Sequence, residues 1–349
     1  MQRKKRILIA PLDWGIGHAT RCIPIIKALI KNNYQVIIAA DKRPLSLLNI
    51  EFPKLDIIRL NGYNIRYSKY LPMSINLCLQ IPKMIWGIKQ EEKILDQIIT
   101  DYQIDGVISD NRFGLYSKRI PCVFITHQLK INSPYFTETI QNLNYKYINK
   151  FNKCWIMDEE QNNLAGELSK TDIMPRDFTY IGRHSRFKYQ ERKKIYDFLG
   201  IISGPEPQRT ILEKGLIKAL KNRSEKSLII LGKPEIETTQ KIGNLTIKSH
   251  LDANSLNNII LESKLIICRS GYSTIMDLEK LHKKAFFIPT PGQTEQEYLA
   301  KILASKKICY FQEQNNFDFD KGITESKKYT GFSIKENVKH DWDELFSLF

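Results

Sequence analysis

Short, almost unbroken apolar runs alternate along this chain with longer stretches in which apolar residues return every three or four positions. The first kind reads as a strand buried on both faces, the second as a helix with one apolar stripe. The pattern predicts strands at Arg6–Ala10, Gln35–Ala40 and Asp56–Leu60, with a helix over Arg21–Lys31 between the first two. A long helix is expected from about Ile75 to Thr100, then strands at Gly106–Ser109 and Cys122–Thr126, a helix over Thr137–Asn149 and a short strand at Lys153–Met157. Together these make a doubly wound sheet. After Asp172 the texture changes: Pro175, Arg176 and Asp177 open a polar, basic stretch without clear period, and a linker is expected over residues 176–194. The alternation then resumes with strands at Tyr196–Ile202, Ser227–Leu231, Thr246–Lys248, Leu265–Cys268 and Ala285–Ile288, and a helix from about Thr210 to Leu220. The expected fold is therefore α/β, with two Rossmann-like domains, residues 1–175 and 195–330, facing across a cleft that suits a ligand. Residues 331–349 are expected to add a C-terminal helix, free to pack back on the N-terminal domain.

Length and composition agree with this division. A chain of 349 residues exceeds what one core usually serves. The six cysteines are scattered without a CxxC pair, which suits a reducing cytoplasm and buried thiols rather than a metal site. The run Ile7–Leu12 is too short for a secretory signal, and no stretch of about 18 apolar residues predicts a membrane span, so a cytoplasmic protein is expected. The net charge of +15 points to an anionic partner such as nucleic acid, a phospholipid surface or a phosphorylated substrate. The lysines are spread along the whole chain, as codon bias would also spread them, and the charge selects none of the three. The stretch Tyr70–Lys89 mixes apolar residues with lysines and fits either a lipid-facing amphipathic surface or a core helix.

Candidate chemistry lies in the loops that follow strands. The first strand runs into Asp13-Trp14-Gly15-Ile16-Gly17-His18-Ala19-Thr20 and then a helix. Gly15 and Gly17 let the backbone approach a ligand at a helix start, where free N–H groups favour an anion or a reacting oxygen. Thr20 stands where a dinucleotide fingerprint has its third glycine, and no Walker lysine is present. His18 suits a general base, and a loop histidine bonded to backbone is the alternative. Asp13 is the reserve candidate. A second cluster, Arg269-Ser270-Gly271-Tyr272-Ser273-Thr274, follows a strand as a turn with hydroxyl caps and opens a helix carrying Asp277. Such a turn aims amides at a phosphate, and the carboxylate can accept ribose hydroxyls or merely favour the helix start. The loop from Pro289 to Gln296 is rich in hydrogen-bonding groups of the kind a sugar needs. Asp110, Asn111, Arg112 and His127 follow strands of the N-terminal half, where they could touch an acceptor or cap loops.

The segment from Cys268-Arg269-Ser270-Gly271 through Asp277, then Phe287-Ile288-Pro289, then Glu295-Gln296-Glu297-Tyr298, resembles the donor-binding half of glycosyltransferase family 28, whose fold is GT-B. The Gly15-Ile16-Gly17-His18 loop resembles the same family's N-terminal glycine-rich loop. The resemblance implies an inverting, metal-independent transferase that moves a sugar, a hexose or N-acetylhexosamine, from a UDP-sugar to a cell-envelope glycolipid or glycan. It implies no cofactor. His18 would be the base, and Gly15, Gly17, Asp110, Arg112 and His127 would face the acceptor. Asp277 would hold the ribose, Arg269, Ser270, Gly271, Ser273 and Thr274 would surround the diphosphate, and Glu295 and Gln296 would read the sugar. His250 and Leu251 would cover the nucleobase of the donor. Gly204, in the place of the family's second glycine-rich loop, and Arg209, in the place of the arginine that follows it, would also bind the donor, but Pro205, Glu206 and Pro207 stand in that loop where small residues are usual, and Asp277 is one methylene shorter than the usual Glu. The resemblance also implies work at the inner face of the cytoplasmic membrane, with peripheral contact to anionic lipid. The triplets Asp318-Phe319-Asp320 and Asp341-Trp342-Asp343 lie far from any such loop and predict no metal site. A UDP-sugar epimerase on the same scaffold is the nearest rival. A basic RNA-binding protein would need a basic stripe with stacking aromatics, and only Arg186, Phe187, Lys188 and Tyr189 interleave that way, so nucleic acid is not an expected partner.

Overall fold

The apolar runs become parallel strands because each is covered by helices on both faces, as the full burial of β-strand residues such as Ile7, Leu8, Ile9, Val107 and Phe124 shows. A computed structural model describes residues 3–63, 79–131, 137–172, 174–333 and 341–349. The chain divides into two units, Met1–His184 with Asn337–Phe349, and Ser185–Glu336.

The first unit contains β1 (Arg6–Pro11), α1 (Ile16–Lys31), β2 (Gln35–Ala40), α2 (Lys42–Glu51), β3 (Asp56–Arg59), α3 (Ile81–Tyr102), β4 (Gly106–Asp110), β5 (Cys122–Thr126), α4 (Thr137–Ile148), β6 (Lys153–Ile156) and β7 (Phe178–Tyr180). Its strands lie in the order β3-β2-β1-β4-β5-β6-β7, every pair parallel. The order reverses between β1 and β4, so the loops after these two strands border the crevice where open α/β sheets bind ligands.

The second unit contains β8 (Tyr196–Ile201), α5 (Gln208–Leu220), β9 (Ser227–Ile230), β10 (Thr239–Ile242), β11 (Leu245–Lys248), α6 (Ala253–Glu262), β12 (Ser263–Cys268), α7 (Tyr272–Lys280), β13 (Ala285–Phe287), α8 (Thr294–Ser305), β14 (Tyr310–Phe311) and α9 (Phe319–Ser326). The order is β10-β11-β9-β8-β12-β13-β14, parallel except for the β10–β11 hairpin. Here the reversal falls between β8 and β12. A last short helix, α10 (Trp342–Phe346), belongs to the first unit. Phe346 meets Tyr34 edge-on at 5.7 Å and Trp155 at 6.2 Å. Gly106 makes room for Phe349, since a Cβ there would stand 2.3 Å from its ring.

Several elements differ from the sequence pattern. Helix α1 begins at Ile16, five residues early, because its first two turns carry His18, Thr20 and Arg21 toward the protein interior instead of an apolar stripe. Helix α2 buries only Pro44, Leu47 and Leu48, too few to show a period. The stretch expected as a linker contributes β7 as an edge strand, and the units divide between His184 and Ser185. Of the expected helix from Ile75, the part before residue 79 lies outside the described residues, and α3 runs from Ile81. The two Asp-x-Asp triplets start helices. Asp318 accepts from Lys321 N at 3.0 Å and Asp341 from Asp343 N at 2.9 Å, while Asp320 pairs with Arg223 at 2.7 Å.

Candidate functional site

In the first unit, the loop after β1 ends at Gly15, which caps α1 at φ 117, a left-handed region that favours glycine. Gly15 gives this helix no side-chain cap and no acidic residue stands in its first turn, so no carboxylate there offsets the positive dipole end. His18 sits in that first turn. Its Nδ1 lies 3.1 Å from Oδ1 of Asp110, the fully buried last residue of β4. Arg21, one turn along α1, donates from Nε to Asp110 Oδ2 at 2.7 Å and from Nη2 to Oδ1. Its Nη1 donates to Nδ1 of His127, just past β5, at 2.6 Å.

Four ionisable side chains therefore share one buried cluster. Burial alone would raise the Asp110 carboxyl, but Arg21 and His18 hold it well below the usual carboxylate range. Burial lowers His18 below its ordinary value, Asp110 opposes this, and Arg21 and His127 add to it. These shifts favour the unprotonated ring, the form a general base requires, with Nδ1 toward Asp110.

The other first-unit candidates are placed differently. Asp13 has a 4% exposed side chain, held by Lys42 at 3.3 Å and pressed against Gly62, where a Cβ would meet its Oδ1 at 1.9 Å. Its Oδ1 finds no partner among the described residues. Arg112 turns inward, which corrects its assignment to an acceptor: Nε donates to Glu91 Oε1 at 2.8 Å, Nη2 to the Asn61 carbonyl at 2.7 Å and Nη1 to that of Leu60 at 3.3 Å. Glu91 is completed by Tyr63 Oη at 2.7 Å and Gly114 N at 3.2 Å. Gly17 accepts the Thr20 hydroxyl at 2.8 Å through its carbonyl.

In the second unit, the loop after β12 is tied to α8. Ser270 Oγ donates to the Gln296 carbonyl at 2.7 Å, and Gln296 Oε1 accepts from Thr290 N at 2.9 Å. Gly271 is the N-cap of α7 and supplies no side-chain cap, and Ser273 and Thr274 stand in the first turn of that helix. Asp277 follows on the same helix, half-buried, and accepts the Ser185 hydroxyl at 2.5 Å. Burial pushes its carboxyl up to about 6, against the opposing pull of Arg186 and of the Ser185 hydrogen bond. Glu295 stands in the first turn of α8. His250 Nε2 is buried without a partner among the described residues, with half-buried Leu251 after it, and burial and then Arg186 lower its basicity.

Two arginines expected at the donor brace the fold instead. Arg269 donates from Nη1 to the carbonyls of Ile288 and Pro289 and from Nη2 to Gln208 O and Gln314 Oε1. Arg209 donates to the Leu231 carbonyl and pairs with Glu206 at 3.3 Å and Glu213 at 3.4 Å. Glu206 itself accepts from Thr210 Oγ1 at 2.7 Å and N at 3.2 Å, so the start of α5 already carries an anion while that of α7 does not. Gly204 lies at φ 106, and a Cβ there would be 3.3 Å from Thr290 Oγ1.

Residues 208–329 match the glycosyltransferase family 28 C-terminal domain. Over 340 residues the chain is 24% identical to the UDP-N-acetylglucosamine--N-acetylmuramyl-(pentapeptide) pyrophosphoryl-undecaprenol N-acetylglucosamine transferase of Rickettsia felis, covering 89% of this chain and 87% of that protein. The chain is a glycosyltransferase. Its fold is GT-B: a solved kitacinnamycin glycotransferase superposes with a TM-score of 0.61 at 11% identity, covering 94% of this chain and 93% of that one. Acinetobacter baumannii MurG gives 0.53 at 14%, covering 93% and 90%.

Sequence reasoning missed three groups of this glycosyltransferase. Arg21 is three residues from His18, a spacing that places both on one helix face once α1 is known to begin at Ile16. Ser185 stands in the stretch set aside as a linker, and Thr290 carried no signal beyond its place after a strand.

Proposed function

We propose that this glycosyltransferase moves a hexose or N-acetylhexosamine from a UDP-sugar to a hydroxyl of a cell-envelope glycolipid or glycan, with inversion and without a metal or cofactor. The observation that carries the reading is His18, in the first turn of α1, with Nδ1 held 3.1 Å from the Asp110 carboxylate. His18 takes the proton of the acceptor hydroxyl. The acceptor oxygen bonds to the anomeric carbon as the bond to the diphosphate breaks, and this single displacement inverts the centre. The start of α7 meets the charge developing on the leaving diphosphate with amides and the helix dipole. Asp277 accepts the ribose hydroxyls, and Glu295 and Gln296 read the sugar. The acceptor belongs to the first unit and the donor to the second. The name of the Rickettsia felis relative, a transferase of N-acetylglucosamine from its UDP form to a pyrophosphoryl-undecaprenol compound, supports a lipid-linked acceptor.

Thermal shift with EDTA present tests the donor. UDP is expected to raise the midpoint, because a ligand that binds only the native state stabilises it; stabilisation that needs a divalent ion contradicts the metal-free reading. Asp277 adds a pH dependence. Burial pushes its carboxyl up to about 6, and only the ionised form accepts both hydroxyls, so UDP affinity should fall as pH drops through that value. Asp277→Asn should cost about 1.5–3 kcal/mol of UDP binding and flatten this dependence. Folding should not suffer, since a carboxyl raised in the native state penalises folding more as pH rises through 6. UDP affinity in Asp277→Asn that equals the parent at every pH would place the ribose elsewhere.

The start of α3 supports a membrane contact. Leu79 and Trp86 are 68% and 64% exposed beside exposed Lys83 and Lys89, an apolar face with basic flanks that fits an anionic lipid surface. Co-sedimentation with phosphatidylglycerol vesicles should be strong and should drop in Trp86→Ser; equal binding by both proteins would rule this face out. Among the described residues no helix is long and apolar enough to cross a membrane.

A further inference from the structure

Arg21 is 2% exposed, and its guanidinium is committed to the Asp110 carboxylate and to His127. The groups that face His18 come from three elements: Asp110 from the end of β4, Arg21 from α1 itself, and His127 from beyond β5. Cys22 also touches Asp110, with Sγ 3.6 Å from Oδ2. The arrangement contains a competition. Asp110 Oδ1 faces both His18 Nδ1 and Arg21 Nη2, and the same Nη2 stands 3.0 Å from His18 Nδ1.

A carboxylate that faces a histidine alone stabilises the imidazolium, whereas one already held at both oxygens by a guanidinium has less to give. A guanidinium also keeps its charge at every accessible pH, so the restraint is permanent. We infer that Arg21 is a positioning residue of this site: by taking the carboxylate of Asp110 as its own partner, it orients the His18 ring and keeps it unprotonated. The inference rests on the reading of His18 as the base and deepens it. A base next to a bare carboxylate would arrive already protonated over part of the neutral range. The Arg21 pairing lets Asp110 fix the ring without that penalty.

An NMR titration of the His18 ring in the whole protein, without substrate, reads this directly, with the pH profile of sugar transfer beside it. Arg21→Met should raise the His18 midpoint by about one to three units and move the acid limb of the rate profile upward with it. Arg21→Lys should restore part of the shift, and Asp110→Asn, with Arg21 in place, should move the midpoint down. Because Arg21→Met leaves a buried carboxylate unpaired and can unfold the chain, Arg21→Lys is the second readout with the carboxylate intact, and its His18 midpoint should lie above that of the parent. Replacing Arg21 by Met should raise the midpoint less in the Asp110→Asn background than with Asp110 in place, since the carboxylate that Arg21 restrains is then gone. A rise as large without the carboxylate, or a parental midpoint in Arg21→Lys, would overturn the assignment. Shifted midpoints in a protein that transfers no sugar would keep Arg21 in its place and remove His18 from the role of base.

Discussion

The His18→Ala variant is expected to turn over roughly a hundredfold to ten-thousandfold more slowly than the parent while binding UDP-sugar about as tightly. The two effects separate because the base stands in the first turn of α1, whereas the groups assigned to the donor, Ser270, Asp277, Glu295 and Gln296, belong to the other unit. In the parent, the rate should fall at low pH as His18 takes a proton, and burial places this acid limb below the ordinary imidazole range. Single-turnover rates at saturating acceptor, with calorimetric titration of UDP-sugar, check both halves. A matching fall in donor affinity and rate would mean that the histidine braces the glycine loop and performs no proton transfer. Near-normal turnover would turn attention to Asp13, although its carboxylate is packed against Gly62 and held by Lys42.

The α/β class was legible because strands buried on both faces must be written as apolar runs, and runs such as Ile7–Ala10 and Cys122–Ile125 carry nothing else. Elements without that constraint left no trace. Strand β10 is Thr-Gln-Lys-Ile on a sheet edge, three of its four residues exposed, and β7 is another edge strand of three residues. The start of α1 was hidden because His18 and Arg21 occupy its inner face, where an apolar stripe would have announced a helix.

The strand-end loops were visible as glycines and hydroxyls, but the direction of each charge was not. Arg112, Arg209 and Arg269 look in the sequence like surface cations ready for an anion, yet they are 0%, 1% and 1% exposed and hold carbonyls and carboxylates inside their own units. Their partners lie far along the chain, as Glu91 does for Arg112 and Gln314 for Arg269, and no local pattern records such pairing.

Glu91→Ala is expected to destabilise the first unit by about 3–5 kcal/mol, because it leaves the Arg112 guanidinium buried without its countercharge. Burial raises the Glu91 carboxyl while Arg112 and Tyr63 pull it down, so the network stands only with all its members. Tyr63 Oη and Gly114 N would lose their acceptor as well. All four tryptophans, Trp14, Trp86, Trp155 and Trp342, lie in the first unit, so urea unfolding followed by tryptophan fluorescence reports that unit. Glu91→Gln should lose less, since an amide oxygen still accepts from Tyr63. The double variant Glu91→Leu/Arg112→Met should recover most of the stability, because a buried pair removed together leaves no orphaned charge. Its acceptor KM should stay near that of the parent, which is where a bracing Arg112 and an acceptor-binding Arg112 part company. A loss in Glu91→Ala of under about 1 kcal/mol, the scale of a surface pair, would deny that the network is buried in solution. A tenfold rise in acceptor KM in the recovered double variant would return Arg112 to the acceptor site.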